Sequence, residues 1–138
     1  MTGVYLDSCI VIYLVQGPEP IRRSVGRFLV EDSSSHFHVS DLTRLECRVW
    51  PLREKAWDLL AEFDRFFASH DLHHAPLDAE VFDLATELRA EVGLKTPDSL
   101  HVAAAIRAGC EEIWTNDHRF PKALDERILT RIMPGKGS

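Results

Sequence analysis

Apolar positions recur along the chain at two periods, and the changes of period mark the elements. Val4-Tyr5-Leu6 is a short β-prone run that ends at Asp7. Ser8 to Val15 continues apolar until Gly17-Pro18 stops it, which predicts a strand, a turn at Asp7-Ser8 and a short helix. Over Pro20 to Val30, Ile21, Val25, Phe28 and Leu29 share one helical face and the arginines lie opposite. Phe37-His38-Val39 reads as a second strand. Ser40 or Asp41 can cap the helix after it, which carries Leu42, Leu45, Glu46 and Val49 and stops near Pro51. Glu54 to Ala68 predicts a long amphipathic helix bearing Trp57, Leu60, Phe63, Phe66 and Phe67. Leu72 to Ala75 is a third strand. Asp78 to Val92 is a helix, with Val81, Ala85, Leu88 and Val92 at helical spacing and Gly93 closing it. Thr96 caps a further helix with Pro97 at its first position, running to Gly109. Ile113-Trp114-Thr115 is a strand and Ile128 to Ile132 the last one.

Short strands alternating with helices imply a parallel sheet covered by helices on both faces. The 138 residues fit one domain, taken as 1–133, with 134–138 as a flexible tail. There is no internal repeat, low-complexity segment or linker. In such folds ligands collect at the carboxyl ends of the strands, which turns the pattern into a site prediction. Asp7 directly follows the first strand, and Asp117 follows Thr115 by one residue, so both are expected on that edge. Asp98 lies in the first turn of a helix that leads into the strand at Ile113, and should start on the same edge. Glu46, about a turn and a half into its helix, can lean back over it.

Four carboxylates meeting in one place repel unless a cation compensates, and Mg²⁺ or Mn²⁺, which prefer oxygen ligands, answers that need. Such an arrangement suits phosphodiester hydrolysis by activated water. Each acid also has an ordinary reading: a turn or cap residue for Asp7, a partner of the helix dipole for Asp98, a solvated helix position for Glu46.

Other features narrow the chemistry. Cys9, Cys47 and Cys110 are odd in number and far apart, without a C-x-x-C pair, so a disulfide framework or zinc knuckle is not expected. Buried small apolar residues in a reducing cytoplasm suit them better. No signal peptide is visible. The longest uninterrupted apolar stretch, Ile10 to Val15, is far short of the roughly 20 residues of a membrane helix. Seven histidines form no zinc pattern. His36 and His38 alternate on a strand, His73 and His74 are adjacent, and His118 reads as a surface turn residue. His101, one turn after Asp98, reads as a packed or hydrogen-bonded helix residue. An aspartyl-phosphate phosphatase would need a second Asp two positions after Asp7, where Cys9 stands, so that class is rejected. The net charge of −6 argues against simple electrostatic attraction to nucleic acid. A bound cation would reverse the local field, and Arg22, Arg23, Arg27, Arg44 and Arg48 are candidates for a basic face. The aromatics Trp57, Phe63, Phe66 and Phe67 could stack on bases, but their spacing favours packing.

The stretch Thr96-Pro97-Asp98-Ser99-Leu100-His101-Val102-Ala103-Ala104-Ala105, followed by Trp114-Thr115-Asn116-Asp117-His118-Arg119-Phe120, resembles the PIN domain, and most of all the VapC toxins of toxin–antitoxin pairs. Tyr5-Leu6-Asp7-Ser8 and Val39-Ser40-Asp41-Leu42-Thr43-Arg44-Leu45-Glu46 are similar to the first and second acidic motifs of that family. The resemblance covers nearly the whole chain. It implies a three-layer α/β/α fold with a short central parallel sheet. It further implies an Mg²⁺- or Mn²⁺-dependent endoribonuclease, a homodimer, and a cognate antitoxin that blocks the acidic groove. Asp7, Glu46 and Asp98 match the core metal ligands, Asp117 the more variable fourth acid, and Ser8 and Thr115 small polar supporting positions. Two other readings stay open: an RNA-maturation nuclease without an antitoxin, and a PIN fold used only for binding.

Overall fold

The computed structural model describes residues 3–20, 22–23, 36–117, 120, 124 and 127–132. The first strand, β1 (Gly3–Leu6), leads into helix α1 (Ser8–Gln16); β2 (His36–Ser40) leads into α2 (Asp41–Arg53) and α3 (Trp57–Phe67). Strand β3 (Leu72–Ala75) precedes α4 (Ala79–Val92) and α5 (Thr96–Arg107), and β4 (Glu112–Thr115) and β5 (Leu129–Ile132) complete the sheet. All four strand pairings are parallel, in the order β3-β2-β1-β4-β5. This is the three-layer α/β/α arrangement expected, with β1 at its centre.

Registers sort the side chains by face. Tyr5 pairs with His38 and Ile113, and His38 with His73, so these four share one face. That face packs, through Tyr5, Ala75 and Ile113, on Val81, Ala85 and Leu88 of α4 and Val102 to Ala105 of α5. Val4, Leu6, Val39 and Trp114 face the other way, onto Ile10 and Val11 of α1, Cys47 of α2, and Phe63 and Phe67 of α3. Burial on both sides explains why the central strands read as continuous apolar runs rather than alternating ones.

Three helix boundaries differ from the sequence pattern. The helix begun at Asp41 runs past Pro51 to Arg53, because Pro51 falls in its last turn and removes only one ladder bond. The helix expected from Glu54 starts at Trp57: Lys55 takes φ 54°, and the Ala56 N–H returns to the Pro51 carbonyl at 2.8 Å, breaking the run. Thr96 is the first helical residue of α5 rather than its cap. Its hydroxyl is engaged by Arg89, and the ladder starts from the Lys95 carbonyl, which accepts from Ser99 N at 2.8 Å. Of the helix expected over Pro20 to Val30, positions 20, 22 and 23 are helical; the remainder lies outside the described residues, as do Arg27, His118 and the tail at 134–138.

Candidate active site

The strand order reverses direction at β1, which is flanked by β2 and β4. A crevice at such a reversal, beyond the carboxyl ends of the strands, is the usual ligand position in an open α/β sheet. Asp7 stands there. It caps α1, with Oδ1 accepting the Ser8 N–H at 2.7 Å. Its own N–H donates to Trp114 O of β4 at 3.0 Å, and Oδ2 accepts the Thr115 hydroxyl at 2.7 Å. Asp7 is therefore held from β4 and from the start of α1.

Glu46 reaches the same point from α2. Its Oε1 accepts the Ser8 hydroxyl at 2.5 Å and meets His101 Nε2 of α5 at 2.5 Å. His101 is 1% exposed, and its Nε2 also lies 3.9 Å from Asp7 Oδ1. On the far side of the ring, Nδ1 meets the Tyr5 hydroxyl at 2.7 Å. Tyr5 in turn contacts Ser40 Oγ at 2.7 Å and Thr43 Oγ1 at 3.2 Å. The site thus draws on β1, α1, β2, α2, α5 and β4.

The partners assign the protons. With Nε2 turned to two carboxylates it carries a proton, so Nδ1 accepts from the Tyr5 hydroxyl. Burial pushes the Tyr5 phenol well above its ordinary range, which keeps it a neutral donor. Burial alone would raise the Glu46 carboxyl. The hydrogen bonds from His101 and the Ser8 hydroxyl outweigh it, and the group sits below the usual glutamate range.

One ligand atom each from Asp7, Glu46 and His101 lies within 4.8 Å of the others. Two anchored carboxylates with water completing the shell fit Mg²⁺ or Mn²⁺, which bind through one or two carboxylates. His101 holds Glu46 and offers a nitrogen at the rim. His101 is the packed, hydrogen-bonded helix residue expected, and it is also part of the cluster. Its spacing of three residues from Asp98 on one helix was the available signal.

Asp7, Glu46 and His101 form the closest-packed part of the site, and Asp98 and Asp117 are not among those three. Asp98 is half-buried in the first turn of α5, one turn before His101. Asp117, also half-buried, donates its N–H to Thr115 Oγ1 at 3.1 Å and so adjoins the Asp7 support.

The cysteines divide. Cys47 and Cys110 are buried as expected, but Cys9 is half-buried at the site's edge. Its Sγ lies 3.7 Å from both Asp7 Oδ2 and Thr115 Oγ1 and accepts the Asn116 N–H at 3.4 Å. Burial, with the Asp7 charge, pushes its pKa up to about 12, so it stays a thiol. Arg44 and Arg48 both turn to Asp64, at 3.9 and 2.9 Å. Phe63 and Phe67 are core residues, whereas Trp50 and Trp57 are about half exposed.

The family profile of the PIN domain matches residues 4–125. No curated protein matches the chain by sequence. Among solved structures, the chain is similar to VapBC2 from Rickettsia felis bound to a promoter DNA fragment, with TM-score 0.77, 17% identity, and coverage of 96% of this chain and 100% of that one. It is similar to Mycobacterium tuberculosis VapC20, a sarcin-ricin loop cleaving toxin, with TM-score 0.71, 14% identity and coverage of 87% and 94%. A toxin–antitoxin complex from Klebsiella pneumoniae gives TM-score 0.67, 20% identity and coverage of 85% and 88%. At such identities these likenesses speak for the fold, and the profile match over most of the length speaks for the family: the chain belongs to the PIN domain family.

Proposed function

We propose that the protein is the toxin of a toxin–antitoxin pair and acts as a divalent-cation-dependent endoribonuclease. The observation that carries this reading is the meeting of Asp7 and Glu46, from β1 and α2, over the carboxyl edge of the sheet, each fixed by hydrogen bonds and backed by His101. In this reading Asp7 and Glu46 are the principal cation ligands, with Asp98 and Asp117 drawn in from α5 and the end of β4. Mg²⁺ or Mn²⁺ held there supplies Lewis acidity toward a phosphodiester and lowers the pKa of water to a useful range. The chain's own groups hold the carboxylates. Ser8 and His101 keep Glu46 ionised and oriented, and Thr115 and the Ser8 N–H orient Asp7. Water attacks phosphorus in line, leaving 5′-phosphate and 3′-hydroxyl ends, and no ribose hydroxyl serves as nucleophile.

A protein partner fits the surface of α2. Leu45, Val49 and Leu52 are exposed at helical spacing and, with Asp41, Arg44 and Arg48, line a groove. An apolar stripe rimmed by charge suits an amphipathic helix from an antitoxin, or the same face of a second copy. Among the described residues no helix is long and apolar enough to cross a membrane.

The test is cleavage of total cellular RNA by the purified chain in Mg²⁺ or Mn²⁺, beside Asp7→Asn and an EDTA control. Discrete fragments with 5′-phosphates, absent from both controls, are expected. Cleavage that persists in Asp7→Asn would overturn the assigned site. Silence in every lane against RNA from several sources would favour a PIN fold used only for binding.

A further inference from the structure

Three histidines outside the acidic site converge on the other end of the same sheet face. We propose that His36, His38 and His73 form a second metal site, for a borderline transition-metal cation such as Zn²⁺. His36 and His38 alternate along β2 and so point to one face. His73 pairs in register with His38 from the edge strand β3 and points the same way. The rings are in contact: His38 and His73 stack with centroids 4.8 Å apart, and His36 meets His73 edge-on at 5.2 Å. His74 faces the opposite side, where Nε2 meets Phe67 O at 2.9 Å, and takes no part.

The two ring separations at His73 are of the size a shared zinc requires, but the ligand atoms of the three do not lie within 4.8 Å of one another as those of Asp7, Glu46 and His101 do, so binding requires the rings to turn. With Zn–N near 2.0–2.1 Å and a tetrahedral angle between ligands, two imidazole centroids on one ion stand about 5 Å apart. Turning the rings about χ2, a soft torsion for imidazole, is the movement that would aim a nitrogen of each at a common point. Two histidines at alternate positions of one strand and a third on its neighbour supply three nitrogens from rigid elements, leaving the fourth position to water. Imidazole must be neutral to ligate. The ligand set also separates the two sites. Three nitrogens select zinc, nickel or copper over Mg²⁺, whereas Asp7 and Glu46 offer oxygen. His36 lies four residues before Ser40, whose end of β2 carries the acidic site, a distance of roughly 13 Å at the strand rise.

The test is equilibrium dialysis of the whole chain against Zn²⁺ in millimolar Mg²⁺, with bound metal measured by atomic spectroscopy. Wild type, His73→Gln, His36→Gln/His73→Gln and Asp7→Asn/Glu46→Gln are compared. His73 is exposed, so its substitution should leave the fold intact, as circular dichroism will check. One zinc per chain is expected in wild type and in the acid variant. Affinity should fall in His73→Gln by more than the roughly 10–100-fold that a metal's outer-shell partner is worth. Co²⁺ in place of Zn²⁺ should give the intense visible absorption of a four-coordinate site, lost in the histidine variants. Zinc retained in both histidine variants, lost only in the acid variant, or absent at micromolar concentration would overturn the proposal. The nuclease reading is judged separately, in Mg²⁺ without zinc, so either can fail alone.

Discussion

Removing one oxygen atom, in Tyr5→Phe, tests whether the buried relay behind Glu46 carries stability and orientation. Tyr5 is 0% exposed, and its hydroxyl meets His101 Nδ1, Ser40 Oγ and Thr43 Oγ1. Loss of the hydroxyl affects these partners unequally. Ser40 Oγ and Thr43 Oγ1 are 3.5 Å apart and can turn toward each other. His101 Nδ1 has no such substitute and is left as a buried acceptor, at a cost of about 1–3 kcal/mol. The lost Tyr5 bonds add roughly 1 kcal/mol, and sparing the phenol its desolvation returns part of this. The expected loss is about 2 kcal/mol, or about 4–8 °C in Tm for a chain of this size. Urea unfolding at pH 7 should show a lower midpoint with an unchanged slope. RNA cleavage should also fall, by about 10-fold, because Nδ1 no longer fixes the ring that holds Glu46. A stability change under about 0.5 kcal/mol would refute the hydrogen-bond assignment. Lost stability with full cleavage would mean that the relay ends at His101 and does not orient Glu46.

Because Glu46 lies below its ordinary range in the fold, its contribution to stability is complete above the unfolded value, about 4.3, and is lost as pH falls through the lower folded value. Urea midpoints measured without divalent cations should therefore decline less below pH 4.5 in Glu46→Gln than in wild type. Cys9, Cys47 and Cys110 are all pushed up to about 12. At pH 8 that leaves a thiolate fraction near 10⁻⁴, against roughly 0.2 for a free cysteine; thiol labelling should accelerate about 10³-fold on unfolding, and native rates matching unfolded ones would contradict the burial. Gly93 ends α4 at φ +83° with open space where a Cβ would stand. Gly93→Ala should thus cost about 1 kcal/mol through backbone strain alone, read as a shift in urea midpoint.

Element types were legible wherever the period was clean. The run Val4 to Leu6 and the spacing of Val81, Ala85 and Leu88 could be read because burial imposes those periods directly. The boundaries at Lys55 and Thr96 were not legible, since each depends on something without a period. One is a left-handed backbone at a residue that seldom adopts it, and the other is a hydroxyl taken by Arg89 from a different helix. The placement of Asp7 beside Thr115 followed from topology, as both end adjacent strands. The Glu46–His101 pair did not follow, because residues 55 apart in sequence meet only once α2 and α5 have packed on the sheet.

His101 shows why the ordinary and the chemical readings of a buried polar residue need not compete. A ring 1% exposed must satisfy both nitrogens inside the protein. Tyr5 satisfies one from the centre of the sheet, and a carboxylate at the carboxyl edge satisfies the other. The requirement that makes His101 a good core residue is thus the one that fixes Glu46 next to Asp7. Acids brought this close would otherwise spread apart or take up protons. The imidazole, the Ser8 hydroxyl and the Thr115 hydroxyl hold them together through donors that arrive with the fold itself. Before any ion or substrate binds, the cost of gathering negative charge at one edge of an already acidic chain is met by buried hydrogen bonds, and a divalent cation would need only to complete what these begin.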